Sequence, residues 1–171
     1  MKQIFTTFLL LCCLLAAAGC TGTEPAAATP EYAGSLDEAR EAFGPTIPAS
    51  SYLPEGYSFE SAVRYPDGSV TLVYNSTAGD LRITRLSSAD VPCPGPTVAG
   101  SKEWTTQGNG IVGRLVYEND DRSEGSLWLL RWDWNDASFC MAGRLPAGEI
   151  TKVASSVSEG QHYYSFEPSP E

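Results

Sequence analysis

Apolar and polar residues alternate in several short runs through the middle of the chain. Residues 59–65, 69–74 and 81–86 follow a period of two, and the turn sequences PDG (66–68) and NSTAGD (75–80) separate them. A period of two places the apolar side chains on one face of a strand. The three runs therefore predict an antiparallel meander. The residues expected on its apolar face are Val70, Leu72, Tyr74, Leu81 and Ile83.

Two hairpins are predicted in the second half of the chain. Residues 102–107 and 111–117 flank the turn sequence GNG at 108–110, which is a strong hairpin signal. Residues 126–134 and 138–142 flank an Asn-Asp turn. Together with the meander, these hairpins predict an antiparallel sheet of about six or seven strands.

Two segments have the apolar spacing of helices. The sequence SLDE at 35–38 is a capping box, in which Ser35 accepts from the backbone of Glu38 and the Glu38 carboxylate reaches back to the backbone of Ser35. This short N-terminal helix should end at Gly44. Residues 146–157 predict a C-terminal helix. Its apolar stripe consists of Ile150, Val153, Ala154 and Val157.

These elements predict an α+β fold, in which the C-terminal helix packs on one face of the sheet. Residues 32–160 are expected to form this single domain, and residues 161–171 a polar tail that ends in prolines.

The first nineteen residues are typical of a signal peptide. An apolar run at 4–15 is too short for a comfortable transmembrane helix, and the sequence AAGC at 17–20 resembles the lipobox of prokaryotic lipoproteins. In that class the cysteine, here Cys20, is acylated with chains such as palmitate and becomes the mature N-terminus. Residues 20–31 are then a lipidated flexible tether. The alternative is plain secretion after cleavage at Ala18.

Charge and cysteine content both agree with export. Without the leader and its Lys2, ten basic residues face twenty-one acidic ones, so nucleic acid is a poor partner. Cys93 and Cys140 are the cysteines left in the domain, and outside the cytoplasm they are most simply a disulfide. Cys93 lies in an irregular proline-rich loop, residues 87–100. Two buried free thiols are the alternative.

Several segments together resemble a known family. The sequence YLPEGYSF, the hairpin YPDGSVTLVY, a tryptophan-rich strand and the closing GRLPAGEITKVASSV are similar to a domain of unknown function. That family occurs in exported prokaryotic lipoproteins and in the extracytoplasmic parts of anti-sigma and sporulation proteins. It is also similar to the C-terminal domain of periplasmic regulators that bind anti-sigma factors. The resemblance covers residues 52–157 and implies no catalytic residues.

No catalytic or metal-binding constellation is evident. His162 is the single histidine and lies in the predicted tail, where it is badly placed to serve as a base. The acidic loop at 118–125 does not have the spacing of a calcium loop, and zinc would lack ligands. Asn75 begins an N-x-[ST] acceptor in a turn, so it is a possible glycosylation site. We therefore expect no cofactor and no enzymatic activity.

Trp128, Trp132 and Trp134 are the most distinctive candidates for a binding face. The period of two places their rings on the same side of one strand. They either pack beneath the C-terminal helix or line a cleft, and the core interpretation is favoured.

Two functions follow from these observations. The first is a non-catalytic, lipid-anchored extracytoplasmic binding or regulatory module that contacts another envelope protein. The alternative is an envelope carrier that binds a lipid or a small apolar ligand against the aromatic face.

Overall fold

A computed structural model of the protein describes residues 29–94, 103–108, 111–118 and 125–164, with the backbone alone described at 103–108, 147 and 158–164. The described chain forms one antiparallel sheet and two helices. The helices are α1 (Leu36–Phe43) and α2 (Ala147–Tyr164). The strands are β1 (Glu31–Ala33), β2 (Ser58–Arg64), β3 (Val70–Asn75), β4 (Leu81–Arg85), β5 (Glu103–Gly108), β6 (Ile111–Tyr117), β7 (Trp128–Trp134) and β8 (Ala137–Gly143).

The sheet joins two four-stranded meanders into the order β1-β2-β3-β4-β8-β7-β6-β5. The last strand of each meander supplies the central pair, in which β4 and β8 run antiparallel with Ile83 opposite Met141. This arrangement confirms the α+β prediction of an antiparallel sheet with a C-terminal helix. Seven strands have five residues or more, and the eighth is the three-residue β1 at the edge. A strand that short has too few residues to display alternation, so the sequence did not predict it.

Apolar residues of both meanders face one side of the sheet, which we call the inner face. The residues predicted for the apolar face of the meander are all buried there. Across the β4–β8 junction, Phe139 and Met141 continue the same face and are also buried. The stripe of α2 packs on this face, with Ile150, Val153, Ala154 and Val157 fully buried. The helices and residues 46–53 therefore cover one continuous core.

Local hydrogen bonds explain where α1 begins. Ser35 Oγ accepts from the backbone N–H of Glu38 at 3.1 Å. The Glu38 carboxylate accepts from the backbone of Gly34 at 2.8 Å, one residue earlier than the predicted partner Ser35. The guanidinium of Arg64, on β2, lies 5.2 Å from the centroid of the Phe43 ring and holds the end of the helix against the sheet.

Helix α2 extends beyond its predicted end. It continues to Tyr164, whereas the apolar stripe ends at Val157. Residues 161–164, which were predicted to belong to a polar tail, therefore continue the helix. No proline interrupts residues 158–164, so the backbone can continue its helical hydrogen bonding.

Candidate functional site

The tryptophan strand, β7, contributes its rings to the same core as α2 rather than to an open cleft. Trp128 and Trp132 are 0% and 2% exposed. The indole N–H of Trp128 donates to the backbone carbonyl of Leu145 at 3.1 Å. The Trp132 ring stacks on Phe139 with 5.3 Å between ring centroids. The rings thus serve as core, the interpretation favoured from the sequence, and the candidate ligand face is covered at these two residues.

Trp134 differs from the other two tryptophans because it lies at the end of β7. Its side chain is half-buried, and within the described part of the chain its indole N–H has no hydrogen-bond partner. Partial exposure of this ring agrees with its position next to the Asn-Asp turn, at the end of the strand.

The opposite side of the sheet, the outer face, carries hydroxyl side chains at its centre. Thr71 of β3 and Thr84 of β4 hydrogen-bond to each other at 2.8 Å, and both are almost fully buried. Ser69 and Ser138 are also buried on this side. Outward polar residues normally face water, so another part of the chain must cover them.

The cover is residues 86–94, which we call the strap. Its backbone N–H groups at Leu86 and Ser87 donate to the Ser138 carbonyl at 2.9 Å and to Ser69 Oγ at 3.1 Å. The guanidinium of Arg131, which projects outward from β7, donates to the carbonyls of Val91, at 2.9 Å, and Ala89. Arg131 therefore attaches the strap to β7 through two hydrogen bonds.

A disulfide completes the attachment of the strap. Cys93 in the strap is bonded to Cys140 on the outer face of β8, with 5.8 Å between their Cα atoms, which confirms the predicted bridge. Cys140 is 1% exposed, whereas Cys93 is only half-buried. On the chain-entropy model, a loop of this size stabilises the fold by about 4 kcal/mol.

A groove of about 630 Å³ lies between the strap and the outward residues of β6 and β7. Its lining residues are Ala89, Asp90, Val112, Gly113, Arg114, Arg131, Trp132 and Asp133. Val112 is 58% exposed, more than any other large apolar side chain described on β2–β4 or β6–β8. The sequence did not predict this groove, because one of its walls belongs to the strap.

A cluster of three interacting ionisable side chains lies on the helical side. Tyr52 donates to Glu149, and Lys152 Nζ lies 2.8 Å from the same carboxylate. The hydrogen bond from Lys152, followed by that from Tyr52, lowers the pKa of Glu149. The hydrogen bond to Glu149 raises the pKa of both Tyr52 and Lys152.

This cluster does not have the properties of an acid–base catalyst. A general base near neutral pH needs a lowered lysine pKa or a raised carboxyl pKa, and the shifts here run the other way. Ser50 Oγ lies 2.5 Å from Ser156 Oγ, but Ser156 also donates to the carbonyl of Val153. These contacts attach residues 50–52 to α2.

The remaining predicted residues are scattered. Asn75 ends β3 and is exposed. Glu118 pairs with Arg144 at 3.5 Å, while the rest of the acidic loop, 119–124, lies outside the described residues. His162 lies in α2. Cys20 and the leader lie outside the described residues.

Two further findings concern metals and membranes. In the described ranges, no three His, Cys, Asp or Glu side chains are grouped where they would share a metal ion. Neither described helix combines the length and the apolar character that a bilayer crossing requires. Comparison of the chain with protein-family models, curated proteins and solved structures found no match.

Proposed function

We propose that this chain is a non-catalytic, lipid-anchored module on the extracytoplasmic side of a cell membrane, and that it binds another envelope protein. Its contact surface is the outward strip of β6 and β7 beside the strap. The observation that carries the proposal is the exposure of Val112 at the floor of a groove. An exposed apolar residue within a rim of charges is typical of a binding patch.

The charges around Val112 support a protein partner. Arg114 and Asp133 are exposed on neighbouring strands, and Asp90 is exposed on the strap. Mixed charges at a rim set the register and specificity of a polar protein contact. The groove is open and shallow, whereas carriers of apolar ligands enclose most of the ligand surface. The burial of Trp128 and Trp132 also favours partner binding over the carrier alternative.

The resemblance of residues 52–157 to exported lipoprotein domains supports the proposed location. The disulfide also supports it, since such bonds persist mainly in oxidising compartments. Membership of that family stays a prediction, as do acylation of Cys20 and glycosylation of Asn75.

Site-specific cross-linking in intact envelopes tests the contact surface. A photo-reactive residue at Val112 should yield a discrete adduct with one envelope protein. The same residue at Thr77, exposed in the β3–β4 turn, is the matched control and should not. Equal adducts from both positions, or none from Val112, would contradict the proposal.

A charge substitution gives the quantitative form of this test. The partner identified by cross-linking should co-purify with Val112→Asp at a level lower by a factor of about five or more than with the natural protein. Central apolar residues of an interface contribute about 1 kcal/mol or more to binding. Val112 is exposed, so the fold should survive, and an unchanged unfolding midpoint checks this. Thr77→Asp controls for the added charge. Undiminished binding by Val112→Asp would remove the groove from the interface.

A further inference from the structure

The strap covers the outer face without packing tightly on it. Its residues Ser87 to Ala89, Asp90 and Pro92 are exposed, and Val91 is only half-buried. A cleft of about 410 Å³ separates the strap from the β2–β3 turn, with Tyr65, Pro66 and Val91 among its lining residues. The groove that contains Val112 lies on the other side of the strap. Leu86, at the start of the strap, is 4% exposed, but residues 87–92 gain little from apolar burial.

Polar contacts and one covalent bond hold the strap in place. Arg131 donates to two of its carbonyls, and Leu86 and Ser87 donate to the sheet. Ordering a chain segment costs conformational entropy at every residue, and exposed hydrogen bonds compensate only part of it. The bond between Cys93 and Cys140 therefore contributes most to holding the strap against the outer face.

The surface beneath the strap resembles a solvated sheet face. Thr71 and Thr84 bond mainly to each other, and Ser69 and Ser138 present further hydroxyls. All but one of the buried polar residues in the described ranges lie in this strip, and the exception is Ser156. Water can hydrogen-bond to these groups as well as the strap can. Opening the strap therefore exposes hydroxyls and leaves the apolar core covered.

We propose that the Cys93–Cys140 disulfide is a redox-controlled latch, and that its reduction releases the strap from the outer face while the domain stays folded. Cys93 is the sulfur that an external reagent reaches, because Cys140 is 1% exposed. Arg131 stands opposite Cys140 in the β7–β8 register, so its cation favours departure of the Cys140 sulfur as a thiolate.

The reductant is a dithiol, small or protein-borne. One of its thiolates attacks Cys93 Sγ, a mixed disulfide forms, the Cys93–Cys140 bond breaks, and Cys140 leaves as a thiolate that takes up a proton. The second thiol of the reagent, as thiolate, then attacks the mixed disulfide and releases Cys93, which is protonated in turn. Two electrons pass to the protein and the reagent becomes a disulfide.

The latch also bears on the contact surface, a consequence that rests on the proposed function. Ala89 and Asp90 of the strap form one wall of the groove that contains Val112. Release of the strap removes this wall. The partner-binding surface thus has two shapes, one for each redox state.

Hydrogen exchange on the full chain, with and without a small dithiol, tests the latch. The amides of Leu86 and Ser87 bond to the Ser138 carbonyl and to Ser69 Oγ, so both report strap position. Reduction should accelerate their exchange by at least about tenfold. The amides of Ile150 and Val153 in α2 should stay protected and report a folded core, although their exchange also becomes faster because loss of the bond lowers the stability of the whole fold. Cys93→Ser should reproduce the reduced state without reagent.

The outcomes separate the latch from other roles. Unchanged exchange at Leu86 and Ser87 after complete reduction would show that the strap stays closed, which overturns the proposal. Complete loss of protection in α2 at the same time would show that the bond is needed for the whole fold, which overturns it too. Cross-linking from Val112 in both redox states tests the consequence separately. Equal yields alongside a released strap would leave the latch standing and remove the groove wall from partner binding.

Discussion

Gly113 faces the core from β6, directly opposite Trp132 on β7. A Cβ atom at this position would lie 2.6 Å from the Arg131 carbonyl oxygen and 2.8 Å from Leu130 Cδ1. The first neighbour is backbone and cannot move aside. The absence of a side chain at Gly113 thus allows the large rings of β7 to pack against their neighbouring strand.

The substitution Gly113→Ala should therefore destabilise the domain. Overpacking of this kind costs about 1–3 kcal/mol. The matched control is Gly148→Ala in the first turn of α2, where a Cβ would meet nothing within 4 Å. Alanine there should be neutral or stabilise by up to about 1 kcal/mol, through helix propensity. Urea unfolding of both variants measures the difference, and equal stabilities would contradict the argument.

Glu149 makes stability depend on acid pH. Lys152 and Tyr52 lower the pKa of Glu149 in the folded protein. A carboxyl with a lowered folded pKa contributes stability above its unfolded pKa, and that contribution is lost as pH falls through the folded pKa. The loss should begin below about pH 4.5, the ordinary value for glutamate. Screening by solvent limits it to less than about 1 kcal/mol.

Thermal unfolding across the acid range checks this dependence. Glu149→Gln should be less stable than the natural protein at neutral pH, and the difference should shrink on acidification. Tyr52 and Lys152 have the opposite pH dependence, because their pKa values are raised in the folded protein. Their contribution to stability is present at neutral pH and is lost above about pH 10. A difference between Glu149→Gln and the natural protein that is constant from pH 7 to pH 3 would exclude this role.

At the scale of elements, α1 is too short to be stable by itself. It has eight residues, fewer than an isolated helix needs in water. It persists through its cap at Ser35, the burial of Ala39, and the contact of Phe43 with Arg64. Removing one of these supports should therefore have a measurable effect.

Ser35→Ala removes the oxygen that accepts from the Glu38 N–H, and it should cost about 1 kcal/mol. Ser35→Asp is the matched control, because a carboxylate accepts the same bond and suits a helix N-terminus. Chemical denaturation compares the three proteins. If alanine and aspartate destabilised equally, the cap would not be the cause.

The elements also show what the sequence could predict. The strand Ile111–Tyr117 has the predicted bounds, and most other strands differ by one or two residues at an end. Local alternation suffices for this because it depends on each strand alone. The pairing of β4 with β8 is different, since nothing within Leu81–Arg85 specifies a partner so distant in the chain.

Site prediction had the same limit. Cysteine content alone predicted the bond between Cys93 and Cys140. Thr71 and Thr84 occupy polar positions of the alternation on β3 and β4, yet both are buried on the outer face. The exposure of Val112 was not predictable from the sequence, because it depends on where the strap and β7 lie. Contacts between distant segments decide each of these features.

Over the whole molecule, the inner and outer faces of the sheet differ in what they carry and in what covers them. The inner face holds the large aromatic residues and is covered by both helices and residues 46–53. In the described ranges the cover of the outer face is the strap, and this face carries the groove and the disulfide. Stability thus resides mainly on one side, which leaves the other free to change shape or to bind.

The proposed anchor sets where that binding can occur. Ten residues, 21–30, separate Cys20 from β1, which lies at the edge of the sheet. A fully extended chain spans at most about 3.6 Å per residue, so the tether would reach roughly 35 Å. The domain could then turn its outer face toward a neighbouring envelope protein without leaving the membrane surface.

Cys20→Ser should remove the anchor and release the domain from membranes. Two buried acyl chains hold a protein stably, at about 0.8 kcal/mol per methylene, whereas the fold described here offers no spanning helix. Fractionation after a high-salt wash should find the natural protein in the detergent-extracted fraction and Cys20→Ser in the soluble one. Cys13→Ser, within the predicted leader, is the matched control and should stay anchored. Persistence of Cys20→Ser on washed membranes would contradict acylation, and its release by salt alone would instead indicate retention through the protein partner.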